Sequence, residues 1–161
     1  MKESCQVQQA LRRSIWDGVF ANLYAGLTGG IFLAGYALAL HASEVQIGLL
    51  ASLPLIANLA QPFSTYAISR LGRRRPVALF SAAAARLSWL GLIGASVYMS
   101  ASPELLLLSL GLVAVSQIGT AVNNLVWMSW MADLVREGLR GRYFGDRNAA
   151  LGAATLVATL A

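Results

Sequence analysis

Charge is scarce in this chain. Lys and Arg account for 12 of its 161 residues and Asp and Glu for 7. That is 12% charged, where a soluble domain carries about 25%. The single cysteine, Cys5, excludes an intrachain disulfide and leaves the redox compartment open. The single histidine, His41, lies far from it, and two such residues at polar ends cannot furnish the four ligands of a structural zinc site. No Gly-rich phosphate loop and no nucleophile elbow occurs. These absences argue against disulfide-scaffold, metal-centred and covalent-catalysis readings, so neither a metal nor another cofactor is expected. No signal peptide is evident: the basic N-terminal segment leads into an apolar run longer than a signal h-region, with further runs behind it.

Apolar sequence is abundant, at 57% of the chain, and its distribution around the charge is informative. Ser69-Arg70-Leu71-Gly72-Arg73-Arg74-Arg75-Pro76 puts a basic cluster between two long apolar runs. Upstream, Val45 to Ile68 contains no charged residue; downstream, Val77 to Met99 contains only Arg86. A charge at the bilayer centre costs roughly 3 kcal/mol or more, so membrane chains move charge to span ends. Each flank is long enough to cross ~30 Å of hydrocarbon as a helix. The stretch reads as a tight basic turn at a membrane face. The net charge of +5 does not imply nucleic acid, because the arginines sit in short segments between apolar runs and not on one amphipathic face. Anionic lipid headgroups are the expected partner for this charge.

The expected fold is an all-α polytopic helical bundle of four complete transmembrane helices and a truncated fifth. Residues 1–16 form a polar, slightly basic tail in which Leu11, Ile15 and Trp16 suit a stripe on the headgroups. Asp17 is placed to cap the helix that follows. The spans are expected at about 18–40, 45–69, 76–99, 104–131 and 143–161. The first carries Gly26, Gly30 and Ala34 at i, i+4, i+8, a ridge that admits a neighbouring helix. The second contains Pro54 and Pro62, both expected to kink it. The third opens on Pro76, which suits a first helical turn. In the fourth, Trp127 and Trp130 fit an interfacial aromatic belt. A charged loop is expected over residues 132–142, and the fifth span ends at Ala161 without cap or basic flank, which reads as a cut chain.

Eleven of the twelve Lys and Arg fall in the N-terminal tail, the 69–76 turn, the 132–142 segment or the start of the fifth span. None falls in the turns at 41–44 and 100–104; the twelfth is Arg86. By the positive-inside rule the N-terminus is cytoplasmic.

Within the spans, polar residues are the candidates for function. Arg86 lies near the bilayer midplane, where an arginine must face protein or a water-filled cavity. It reads as a binding group for an anionic or polar substrate or a coupling charge, or else as a structural arginine tied to Asn58, Gln61 or Gln117. Asn22, Asn58, Gln117, Asn123 and Asn124 either line a pathway or act as interhelical glue contributing about 0.6–2 kcal/mol each. At most one of Asn123 and Asn124 faces a cavity centre, since successive helical residues point in different directions. Asp17, Asp133, Glu137 and Asp146 all lie on the cytoplasmic side. A cation-dependent membrane enzyme built on Asp133 and Asp146 is the weakest reading.

Thr65-Tyr66-Ala67-Ile68-Ser69-Arg70-Leu71-Gly72-Arg73-Arg74 resembles the Gly-x-x-x-Asp-Arg-x-Gly-Arg-Arg signature between the second and third helices of major facilitator superfamily transporters. Arg70, Gly72, Arg73 and Arg74 match; Thr65 stands for the usual Gly and Ser69 for the usual Asp. Leu139 to Asn148, with Arg140, Gly141 and Arg142, is similar to a fourth-to-fifth-helix segment of many bacterial members. The resemblance implies twelve helices in two halves of 3+3 inverted repeats, with substrate between the halves. This chain then corresponds to part of the N-terminal half, and the C-terminal half of the same transporter is its missing partner. It implies a secondary active transporter of a small solute, with or without a coupling ion, in a bacterial inner membrane, and not an enzyme. It also implies a cytoplasmic gate at which Arg73 pairs with Asp133. Ser69 cannot supply the carboxylate usual at its position. The alternative is a non-transporting membrane assembly factor or lipid-handling scaffold of similar architecture.

Overall fold

The structure is a computed structural model that describes residues 16–135 and 137–160. The N-terminal tail with Cys5, the Leu11 and Ile15 stripe positions, and Arg136 lie outside the described residues. The described residues are helical with short connections and include no strand. Helix α1 is Trp16–Ala39, α2 Glu44–Ala57, α3 Gln61–Leu71, α4 Arg74–Tyr98, α5 Pro103–Leu134 and α6 Glu137–Leu160. Among the described residues, four stretches are long and apolar enough to cross a membrane: Trp16–Ala39, Glu44–Arg70, Arg74–Tyr98 and Pro103–Met131.

Local chemistry sets the helix ends. α1 closes with His41 at φ 58, while Ala42 N–H donates to Ala37 O at 3.0 Å and His41 N–H to Leu38 O at 2.9 Å. This is the left-handed cap that glycine usually provides. α2 opens on a reciprocal capping box: the Ser43 hydroxyl accepts from the Gln46 N–H, and the Gln46 side chain accepts from the Ser43 N–H. Leu105 N–H donates to Ser102 Oγ at 3.2 Å in the first turn of α5. Glu44 and Glu104 lie in the first turns of α2 and α5, where the helix dipole favours negative charge. Asp17 lies inside α1 and not before it.

The second apolar run is not one continuous α-helix. α2 tightens into a 3-10 turn over Asn58–Ala60 before α3 begins. Pro54 sits inside α2, and Pro62 sits in the first turn of α3, where a missing N–H leaves no intrahelical bond unmade. α3 ends at Gly72 with φ 60, Arg73 is extended, and α4 starts at Arg74. The basic turn is therefore two residues long. The first helix is also interrupted: Gly29 is a bend and Gly30 has φ +53. A side chain at Gly26 or Gly30 would meet nothing within 4 Å, so the ridge expected to seat a neighbour seats none at those two positions. The charged segment at 132–142 is helical on both sides of Val135 and residue 136, and α6 starts at Glu137 and not near Tyr143. Gly138, Gly141 and Gly145 do not break it, since glycine in a helix costs only about 1 kcal/mol against alanine.

The described residues divide into two compact units, one within 33–130 and the other within 1–32 and 131–161. In the first, Leu33, Ala37, Leu50, Leu92 and Val113 form the core, with Tyr36, Trp89 and Leu112 packed against it. Two polar ties cross this core. Tyr36 Oη bonds Ser96 Oγ at 2.7 Å and Ser109 Oγ at 3.1 Å, and Trp89 Nε1 donates to Ser116 Oγ at 2.8 Å. In the second unit, Asn22 Nδ2 donates to Leu151 O at 3.1 Å and to Thr155 Oγ1 at 2.5 Å. Burial inside the protein is modest, and large apolar side chains such as Ile31, Leu55, Phe63 and Leu107 remain exposed. A chain whose outer surface meets lipid is built this way.

Candidate functional site

The span Pro103–Met131 has Gln117 at its midpoint, fourteen residues from each end. Its side chain is half-buried. Among the described residues it makes no hydrogen bond, and neither do Asn123 and Asn124. Because α5 is continuous here, Gln117 and Asn124, seven residues apart, share one face, while Asn123 is turned about 100° from Asn124. Sequence reading separated Asn123 from Asn124 but did not pair either with Gln117; the seven-residue spacing was the available signal. The result is a face with an amide at mid-depth and another about 10 Å along the axis, toward the end of α5 that leads into the charged segment.

The other amides are engaged. Asn22 uses both amide hydrogens on α6, which is the work of interhelical glue. Asn58 is exposed at the 3-10 turn and accepts from Gln61 Nε2 at 3.0 Å. Neither is tied to Arg86. Arg86 is exposed on α4, and its Nη1 donates to Ala82 O of its own helix at 3.3 Å.

At the basic turn, Arg70 lies over the Tyr66 ring, 5.3 Å from its centroid, and Nε donates to Tyr66 Oη at 2.9 Å. Ser69 Oγ donates to Tyr66 O at 2.7 Å. Tyr66 thus organises the end of α3, a role the sequence motif did not indicate. Arg73 and Arg75 are exposed, and Arg74 is half-buried. Arg74 and Arg75 begin α4 with no acid in its first turn. Positive charge at a helix N-terminus opposes the macrodipole, so helix stability does not explain these arginines. Gly72 supplies the left-handed φ that the two-residue turn needs. Asp133 is exposed in the last turn of α5 and is engaged by a polar or electrostatic interaction. The backbone of Arg140, Gly141 and Arg142 is helical; the side chains of Arg140 and Arg142 lie outside the described residues. Among the described residues, no three His, Cys, Asp or Glu side chains are grouped to hold a metal ion.

Comparison with curated proteins and with solved structures returned no match. The family model for the Major Facilitator Superfamily matches residues 18–161. That match covers every described helix except the first two residues of α1, and it includes the basic turn and all four candidate spans. The chain therefore belongs to the Major Facilitator Superfamily and is part of a multi-pass integral membrane transporter.

Proposed function

We propose that the protein is a secondary active transporter that moves a small solute by alternating access, and that these residues belong to the N-terminal six-helix half of a twelve-helix molecule. The observation that carries the reading is Gln117: a half-buried residue at the middle of an apolar span, whose side-chain amide has no hydrogen-bond partner among the described residues. An amide held in hydrocarbon without a partner is costly, and a solute or the water that precedes it offers the missing bonds. Gln117 and Asn124 are the pathway residues favoured here, because they share a face. Asn22 and Asn58 have partners close at hand, which supports structural roles. The basic turn at Ser69–Arg74 serves as the cytoplasmic gate segment, with its charge on the inner side of a bacterial plasma membrane. Asp133 and the Arg140–Arg142 stretch belong to the same cytoplasmic side. No acid lies in the middle of an apolar run in residues 1–161, so a proton-coupling carboxylate, where coupling exists, comes from the other helices.

The test is uptake by the full-length protein in proteoliposomes, over a panel of radiolabelled solutes, with and without a pH gradient. Once a solute is found, Gln117→Leu should cut uptake at least tenfold while leaving expression and thermal midpoint near wild type. Unchanged uptake in Gln117→Leu would remove the proposed pathway face. Absence of uptake for every solute would favour the scaffold reading.

A further inference from the structure

Arg86 is the thirteenth of the 25 residues of α4, so it lies about 18 Å from either end of that span by helical rise. Snorkelling serves arginines near span ends, and a side chain much shorter than that depth cannot carry its guanidinium from there to the headgroups. Arg86 is nevertheless exposed, and its one hydrogen bond among the described residues is a long one to its own helix. The opposite side of α4, with Ala85, Ser88 and Leu92 buried, packs in the core. Arg86 shares its own face with Leu79, Leu90, Ile93 and Val97, all exposed and spaced seven, four, three and four residues apart through Arg86, which puts them in one stripe. Ala82 and Ala83 beside it leave room for another backbone.

A charge this deep is expensive against lipid. A stripe of Leu, Ile and Val around it is equally unsuited to a water-filled pathway. A protein surface resolves both conditions. We infer that the Arg86 stripe of α4 is a docking surface for another membrane-spanning helix of the same transporter, one that lies outside residues 1–161 and presents an Asp or Glu at mid-depth. The occupant follows from charge. A second copy of this stripe would set arginine against arginine. The acids within residues 1–161, Glu3, Asp17, Glu44, Glu104, Asp133, Glu137 and Asp146, all lie at or beyond the ends of the apolar runs, so none of them meets Arg86 at that depth in a straight crossing. This inference rests on the proposed twelve-helix molecule for the source of the helix, and it assigns Arg86 to assembly and not to solute binding.

A photo-cross-linking residue at Leu90, and separately at Ile93, in the full-length protein reads the surface without disturbing Arg86. The expected product is an intramolecular adduct to one apolar peptide from beyond residue 161 that contains a mid-span carboxylate. Adducts to lipid alone, to peptides within residues 1–161, to a second copy or to a different protein would each overturn the assignment. The pair is then tested in detergent. Arg86→Leu should reduce the monodisperse fraction severalfold, and Arg86→Leu combined with the partner acid→Leu should restore it, because an apolar pair can replace a buried ion pair. A double variant no better than the single one would also overturn it. Neither readout depends on transport, so failure here leaves the transport test intact, and the reverse.

Discussion

At Gly119 a single hydrogen atom sets the distance between two helices. A Cβ built there would lie 2.6 Å from Ser81 O and 3.1 Å from Ala85 Cβ, both on α4. The nearer atom is backbone, so relief requires α4 and α5 to separate. Gly111, on the same helix, has nothing within 4 Å of its would-be Cβ. Gly119→Ala should therefore destabilise the protein by about 1–3 kcal/mol, the range for overpacking a close contact. Gly111→Ala should be neutral or stabilising by up to about 1 kcal/mol through helix propensity. Thermal midpoints of the two variants in the same detergent check this, and equal midpoints would show that close α4–α5 approach is not required. Gly119 also shows what sequence reading missed at this scale. The ridge at Gly26, Gly30 and Ala34 has the regular spacing that draws attention, while Gly119 stands without a matching small residue at i+4. Its partner is the small surface of Ser81 and Ala85 on the other helix, and a pattern split between two helices has no signature in either.

The elements themselves were largely legible, because each apolar run long enough to span became helix, and the turns expected at 41–44, 69–76 and 100–104 fall where one helix ends and the next begins. The interruptions were less so. Pro54 and Pro62 suggested kinks, and the irregularity falls between them, at Asn58–Ala60, because Pro62 is at home in a first helical turn. The break in α1 has no counterpart in the sequence reading, which places Gly30 in a packing ridge with Gly26 and Ala34 and assigns Gly29 no role. Gly30 holds φ +53 with open space around its Cα, so the constraint there is conformational and not steric. Gly30→Ala should cost about 1–2 kcal/mol, the penalty for an L-residue in the left-handed region. Gly30→Asn should cost less although asparagine is larger, because its side chain tolerates that region. Thermal unfolding of both variants decides the matter: asparagine worse than alanine would mean crowding, and two harmless substitutions would mean that α1 needs no break.

For the whole molecule, the partition of charge is the quantity that sequence carries most plainly, because the bilayer imposes it without reference to packing. The two units depend on packing, and the face shared by Gln117 and Asn124, though spaced for it, depends on α5 staying continuous between them. Orientation is a separate matter, and it can be measured. The basic turn after α3 and the turn before α5 are separated by one spanning helix, α4. They must lie on opposite sides, and the positive-inside rule puts the arginines in the cytoplasm. With Cys5→Ser as background, Arg75→Cys and Ala101→Cys, both exposed positions, should react in opposite senses with a membrane-impermeant maleimide. In intact cells Ala101→Cys should label and Arg75→Cys should not; in inside-out vesicles the pattern should reverse. Labelling of both from one side would mean that α4 does not cross, and the depth assigned to Arg86 would fall with it. Labelling of Arg75→Cys alone in intact cells would keep the crossing but invert the molecule, placing the arginine turn outside, where no gate of the proposed kind can act.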